Sequence, residues 1–529
     1  MVNKKLQVWL PLLFSLVLII GMLLGYKLNN NGGNKKGFFA SNSSNSLQEA
    51  LDLIKLRYVD SVNIGELEGK AIQEIMTELD PHSVYLPPVK VQSANEDLAG
   101  NFEGIGVEFN VFNDTVNVVY VVADGPSDKA GLLIGDKIVA VNKVSLTQET
   151  FDADSIKKYI RGERGSTADL QIIRGSTQLS IAVTRGRIPV SSVDASYMID
   201  KSTGYIKLNK FTENSYEEFM QAMENLLKQG MQSLIYDLRG NGGGFMNEAV
   251  DMADEFLDGD KLIVYTAGVN NKKKEYRCKR PGLFEKGKLV LLVDELSASA
   301  SEVLAGALQD WCRATIIGRR TFGKGLVQEQ YPLSDGSAIR LTVARYYSPL
   351  GRSIQRSYEN GKKVYMDELW ERFNSGELLS ADSIRLHTDG KKFMTSCKDT
   401  LYGGEGITPN FFVPLDTSFS QRKIVRLLTE TNISNIIYQY YMENKQQLTQ
   451  YKTAHDYAQS FDATGLWNKL VKTANGSYDF SKLSLQEKNL LQQRLKAQLA
   501  RYRWRNDGFY QVMNNEDAAI KKALEKMGK

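Results

Sequence analysis

The stretch Leu289–Gln328, LVLLVDELSASASEVLAGALQDWCRATIIGRRTFGKGLVQ, decides how the rest of the chain is read. Its opening apolar run, Leu289–Val293, has the length and composition of a buried strand. Three alternating serines follow, Ser297, Ser299 and Ser301. The spacing of Val303, Leu304, Ala307, Leu308 and Trp311 then predicts a helix with one apolar face. A second β-like run, Thr315–Gly318, leads into a glycine-rich loop that carries Lys324. A strand–helix–strand unit returns the chain beside its start, so this order sets a serine at a helix N-terminus near a lysine loop.

The tempting misreading of that loop is a phosphate cradle, because Gly318–Lys324 fits GxxxxGK. Such a loop needs Ser or Thr next, for magnesium, and then a helix. Here Gly325 follows, and Leu326–Tyr331 reads as a strand. A nucleotide site is therefore rejected. A serine nucleophile instead needs a base and N–H donors for an oxyanion, and a helix N-terminus offers such donors. No histidine lies between His82 and His387, and the first polar side chain able to act as a base beside the serines is Lys324. A Ser–Lys pair follows the same logic as a triad, provided that burial lowers the lysine pKa. Phe322 and its neighbouring glycines allow a tight, desolvated loop. Taken singly, Ser299 with Glu302 also matches a helix capping box, and Lys324 also reads as a surface lysine.

Upstream, Leu6–Gly25 is a run of 20 uncharged residues after Lys4 and Lys5. It is long enough to cross a bilayer, and the lysines favour a cytoplasmic N-terminus. The run lacks an A-x-A cleavage site, so an uncleaved signal anchor is preferred to a cleaved signal peptide. Asn29–Ser46 reads as a polar tether, and Leu47–Asp80 as two helices closed by Asp80-Pro81-His82-Ser83. His82 is read as structural.

Asn101–Gly186 reads as a small β-rich module, with strands at Val107–Val111, Val116–Val122, Lys137–Val141, Asp169–Ile173 and Leu179–Val183 and a helix at Ala153–Ile160. The GIGV loop Gly104-Ile105-Gly106-Val107 and the runs GPSDKAGL (125–132) and GDKIVAVN (135–142) resemble a PDZ domain. That resemblance implies capture of a C-terminal carboxylate by the loop and addition of the peptide as a strand. The groove is placed between Val107–Val111 and Ala153–Ile160. From Val190 to about Pro414 strands and helices alternate, as in an α/β core. Ser215 with Glu218 reads as a capping box. Leu234–Asp237 reads as a strand that runs into the glycine loop Asp237–Gly244, DLRGNGGG. From about Asp416 the pattern is helical, with a capping box at Ser484 and Glu487. Arginines there, with Tyr502 and Trp504, read as a solvated helix face rather than a nucleic-acid surface, since acids return at Glu516 and Asp517 and the net charge is only +4. The three cysteines form no CxxC pair and no even framework, so disulfides are not expected to hold the fold, and Cys312 reads as a small buried hydrophobe.

The motifs SASASE (297–302), ALQD (307–310) and TFGKGLVQ (321–328), with the DLRGNGGG loop, the PDZ-like module and the Asp80–Ser83 turn, jointly resemble the carboxyl-terminal processing, or tail-specific, serine protease family over residues 47 to 415. The resemblance implies Ser299 as nucleophile, Lys324 as general base and Gln328 as the residue that orients the lysine. It implies an oxyanion hole from the Ala300 N–H and that of Gly243 or Gly244. Many relatives carry a proline inside that glycine loop, so the choice of glycine stays open. Asp310 is left open as a structural residue. The PDZ module, with Gly104, Ile105, Gly106 and Val107, is implied to bind the tail and to gate the active site.

The expected architecture is a multidomain α+β chain: signal anchor 1–28, linker 29–46, helical segment 47–95, PDZ-like domain 96–187, α/β protease core of crotonase/Clp-protease-like type 188–415, and helical C-terminal region 416–529. The expected function is a single-pass inner-membrane endopeptidase with its catalytic part in the periplasm or another extracytoplasmic space. Its substrates are proteins or peptides with free C-termini, and no metal, cofactor or nucleic acid is expected. A second copy of the chain or an adaptor protein is left open as a partner. The rival readings are a non-catalytic PDZ scaffold and an acyl-CoA enzyme on the same core.

Overall fold

The computed structural model describes residues 15–22, 46–112, 114–146, 153–383, 391–417, 427, 432–474 and 478–528. Residues 1–71 and 72–529 form two separate compact units. In the first, residues 15–22 and Ser46–Arg57 are helical. Most of the expected anchor (1–28) and nearly all of the linker (29–46) lie outside the described residues. Among the described residues no helix is long and apolar enough to cross a membrane.

In the second unit, the near-continuous apolar runs form a sheet in the order Val193–Met198, Thr203–Leu208, Ser233–Asp237, Lys288–Val293, Thr315–Gly318, Phe411–Phe412. The first pair is antiparallel and every later pair parallel. Strands of this kind are apolar on both sides because both faces are covered. One face carries the helices Ser215–Lys228, Met246–Asp254 and Ala300–Asp310, packed through Phe219, Met223, Leu226, Phe256, Leu304 and Leu308. The other face, with Tyr205, Ile235, Val290 and Leu292, is covered by Ala519, Ile520, Ala523 and Met527 at the C-terminal end of the chain. The Ala518–Lys526 helix thus packs on the α/β core rather than with the helices before it.

A second, antiparallel sheet orders Val84–Leu86, Ala338–Tyr347, Leu262–Ala267 and Lys274–Arg277, with Leu326–Pro332 also paired to Ala338–Tyr347. The Ala300–Asp310 helix is buried along its whole length. The β-rich module has Val107–Phe112 at one edge of its main sheet, followed by Thr115–Val121, Lys137–Val141, Thr167–Arg174 and Thr177–Thr184. Its helix runs Ala153–Ile160. The strands that enter and leave it, Asn101–Gly104 and Gly186–Pro189, pair antiparallel. Four helices, Ile433–Asn444, Ala454–Ser460, Thr464–Thr473 and Leu485–Asn514, share a separate core around Ile436, Tyr457, Leu466, Leu470 and Leu495.

Two expectations need correction. The Ser215–Glu218 capping box does not form. Asn214 is the cap residue, and the Glu218 carboxylate instead accepts from Ser191 Oγ, Ser192 N and Val193 N at 2.7–3.0 Å, while Ser215 Oγ donates to Thr212 O and Glu248. The Ser484–Glu487 box does form. The second correction is larger. Cys312 is not a buried hydrophobe but is disulfide-bonded to Cys397, 85 positions away. Cys312 follows the helix end at a φ of 53°, in a left-handed turn, and so faces the Lys392–Met394/Thr400–Tyr402 hairpin. Cys278 alone is free.

Candidate active site

The three alternating serines separate into two roles. Ser297 Oγ donates to Leu238 O at 2.9 Å and accepts from Asp294 N–H, and Ser301 Oγ donates to Asn241 O at 2.9 Å. Both are buried and stitch the helix start to the DLRGNGGG loop. Ser299 lies between them, is only partly buried, and sits at φ 56°, ψ −114°. A non-glycine residue pays strain to hold this backbone, and such residues persist where the surroundings over-determine them.

Glu302 is the main part of those surroundings. Its Oε2 accepts from the Ser299 N–H and from the Lys324 N–H, both at 2.8 Å. Its Oε1 accepts from the Gly323 N–H at 2.7 Å and from Thr321 Oγ1 at 2.5 Å. The capping partner expected of Ser299 therefore also clamps the lysine loop. Burial pushes the Glu302 carboxyl up to about 7, against the opposing pull of its four donors. On the other side, the Tyr346 hydroxyl stands between the Ser299 carbonyl, at 2.9 Å, and the Lys324 carbonyl. Residues 299 and 324 are thus tied to each other twice through their backbones.

The Lys324 ammonium donates to Gln328 Oε1 at 2.9 Å, and Gln328 Nε2 donates to the His82 carbonyl at 2.7 Å. The Leu326–Pro332 strand brings Gln328 to this position, as it would not in the helix that a phosphate loop requires. Burial, with Arg340 next in weight, lowers the Lys324 pKa to about 8. No hydrogen bond joins Ser299 Oγ to Lys324 Nζ in this conformation. His82 itself packs its ring against Tyr365, whose hydroxyl lies 2.8 Å from Nε2, and burial depresses it to about 3. The imidazole is therefore neutral, and its residue serves the site through a backbone carbonyl. Asp80 holds that turn by accepting from the His82 and Ser83 N–H groups.

Of the candidate oxyanion donors, the Ala300 N–H is at the first turn of its helix, where it has no intrahelical partner. Gly243 lies directly against the serine: a Cβ there would come within 2.8 Å of Ser299 Cβ and 3.0 Å of Ala300 N. Its N–H donates to Asn241 Oδ1 at 2.9 Å, so it is engaged in this conformation. Gly244 is set back, bridged to Phe211, where an added Cβ would strike the Phe211 carbonyl. Asp310 is structural: it is fully buried and takes two hydrogen bonds from Arg352, at 2.6 and 2.9 Å.

Gly104, Ile105, Gly106 and Val107 line a separate cavity of about 640 Å³ beside the Ala153–Ile160 helix. The Ile105 and Gly106 carbonyls accept from Ser127 and Val122 N–H groups, which fixes the loop at the sheet edge.

Peptidase family S41 matches residues 202–361, and the PDZ domain matches 104–184. A family of unknown function matches 424–506. The chain is 33% identical over 345 residues to the "Probable CtpA-like serine protease" of Staphylococcus haemolyticus, covering 64% of this chain and 68% of that one. It is 31% identical over 351 residues to the carboxy-terminal-processing protease of Bartonella bacilliformis, covering 65% and 80%. It is 34% identical over 316 residues to the carboxy-terminal processing protease CtpB of Bacillus subtilis, covering 59% and 65%. A serine peptidase core joined to a PDZ domain defines the class, and the chain belongs to the S41 family of carboxy-terminal processing serine proteases. It is an enzyme and not a non-catalytic scaffold.

Sequence reading missed Tyr346, the wider reach of Glu302 and the His82 carbonyl. Glu302 carried a signal in its place three residues after Ser299, and His82 in the Asp80–Ser83 turn; Tyr346 carried none.

Proposed function

We propose that Ser299 is the nucleophile and Lys324 the general base of an endopeptidase that cuts polypeptides held by their free C-termini. The neutral Lys324 amine takes the Ser299 hydroxyl proton as Oγ attacks the scissile carbonyl. The lysine then returns that proton to the leaving amine, and water hydrolyses the acyl-enzyme by the same route. The oxyanion is held by the Ala300 N–H and by Gly243 once its N–H leaves Asn241, the glycine nearer to the serine. Gln328 orients the lysine. The observation that carries this reading is the double backbone tie between residues 299 and 324 through Glu302 Oε2 and the Tyr346 hydroxyl. The Lys324–Gln328 hydrogen bond supports the orienting role of Gln328. The test is cleavage of an unfolded protein. Ser299→Ala abolishes it while the circular dichroism spectrum is retained, and continued cleavage by that variant refutes the assignment.

The catalytic part is proposed to work outside the cytoplasm, on a single-pass inner-membrane anchor at Leu6–Gly25. The Cys312–Cys397 bond supports this, because disulfides persist in oxidising compartments. Protease digestion of spheroplasts removes the soluble part if the placement holds and spares it if the placement is wrong.

A further inference from the structure

The cavity beside the PDZ loop has a wall that the PDZ domain does not supply. One side is the Ala153–Ile160 helix. The other is built by Ile433 and Ile437 of the Ile433–Asn444 helix and by Arg501, Tyr502 and Arg505 of the Leu485–Asn514 helix. Between them runs Val107–Phe112, an edge strand with one side open to pairing. The two parts are docked through the sheet face: Tyr438 packs on Phe112 and Val119.

Side chains alternate along a strand. Val107 and Phe109 pack on the PDZ core. Glu108 points the other way, to the helical wall, where Arg505 Nη1 lies 3.2 Å and Arg501 Nη2 3.6 Å from its carboxylate. The Arg505 guanidinium also covers the Tyr120 ring, 3.6 Å from its centroid. It is placed there by a break in the helix at Trp504 and Arg505. Two guanidinium groups therefore share one carboxylate. Lys157 and Arg161 also line the cavity, but each has its own acid outside it, Asp154 at 2.8 Å and Glu96 at 3.5 Å. The uncompensated positive charge is at Arg501 and Arg505.

A tail added to this edge repeats the same alternation. With its terminal carboxylate at the Gly104–Val107 loop, its last side chain turns to the PDZ core. Its penultimate side chain turns to the Glu108 side, toward the arginines. We infer that the C-terminal helical region is part of the tail-reading site, and that Arg501 and Arg505 select polypeptides with an acidic penultimate residue. This rests on the tail-binding reading above, and it gives the family-of-unknown-function segment 424–506 a role.

The test is fluorescence polarisation with the full chain carrying Ser299→Ala, to prevent turnover. The probes are labelled decapeptides that share one sequence and differ only in a penultimate Glu, Gln or Lys. A fourth probe has the Glu sequence with a C-terminal amide. The Glu peptide binds about fivefold more tightly than the Gln peptide, as a partly exposed ion pair allows, and the Lys peptide binds most weakly. Arg501→Gln brings the ratio of Glu-peptide to Gln-peptide affinity down toward one, whereas Glu108→Gln enlarges that ratio. Equal binding of the Glu, Gln and Lys peptides, all lost on amidation, overturns this inference and leaves the tail reading standing. Binding that survives amidation overturns the tail reading and the inference with it. The peptide comparison needs no groove variant to fold.

Discussion

The serine–lysine cleft and the tail groove are both polar sites, yet they are built in opposite ways. In the cleft, one buried carboxylate, Glu302, takes four donors from two loops, and the partners lie within Ser299–Lys324. In the groove, Glu108 meets Arg505, 397 positions away, and Arg501, and the groups are roughly one-third to two-fifths exposed. A buried, fully subscribed carboxylate is costly to disturb, whereas exposed ion pairs are weak and screened by salt. The cleft should therefore respond to substitution all-or-none, and the groove by degrees.

The sharpest break in the comparison is Lys324→Arg. It keeps the charge but cannot supply a neutral amine, so peptidase activity falls by about a thousandfold or more. Peptide affinity, measured by polarisation, stays as it was. Next is Glu302→Gln, which turns an NH2 toward two of the four donors. Chemical denaturation should show a loss of about 2–3 kcal/mol, and activity should drop with it. If Glu302→Gln proves neutral in both, the clamp has been misread. Cys312→Ser opens an 85-residue separation and should cost about 2–4 kcal/mol of stability without shifting tail affinity.

A pH series separates the two sites further. In the proposed mechanism the Lys324 amine acts when deprotonated, and its pKa is lowered to about 8. Activity therefore rises from pH 7 through 8 toward a plateau, gaining about tenfold by pH 9. Tail binding in the groove does not use the Lys324 amine, so tail affinity is flat over that range. A rate profile already level at pH 6 to 7 contradicts the lysine base. The smallest effect expected is in the groove itself, where raising salt to about 0.5 M erodes the preference for an acidic penultimate residue while leaving the cleft chemistry in place.

The same contrast separates what the sequence could tell from what it could not. The Lys288–Val293 and Thr315–Gly318 strands, the Ala300–Asp310 helix and the Ala153–Ile160 helix follow from periodicities that contiguous residues carry. Ser299, Lys324 and Gln328 were singled out because they stand in short motifs, and the lysine stood out because histidine is scarce. Pairings across the chain left no such trace. Glu218 had a local serine to cap and went to Ser191–Val193 instead. Cys312 looked unpaired because its partner lies in a distant hairpin.

By itself, then, the sequence determined the order of strands and helices, the PDZ-like module and the serine-peptidase family, since hydrogen-bond partners within a few residues and apolar spacing act locally. Tertiary structure decided that Ser297 and Ser301 put their hydroxyls into the buried network. It decided that Tyr346 contacts the Ser299 and Lys324 carbonyls, that the His82 carbonyl accepts from Gln328, and that helices near residues 433 and 505 line the cavity beside the PDZ loop. Those outcomes depend on which surfaces meet when the cores close, and burial, not spacing, sets that.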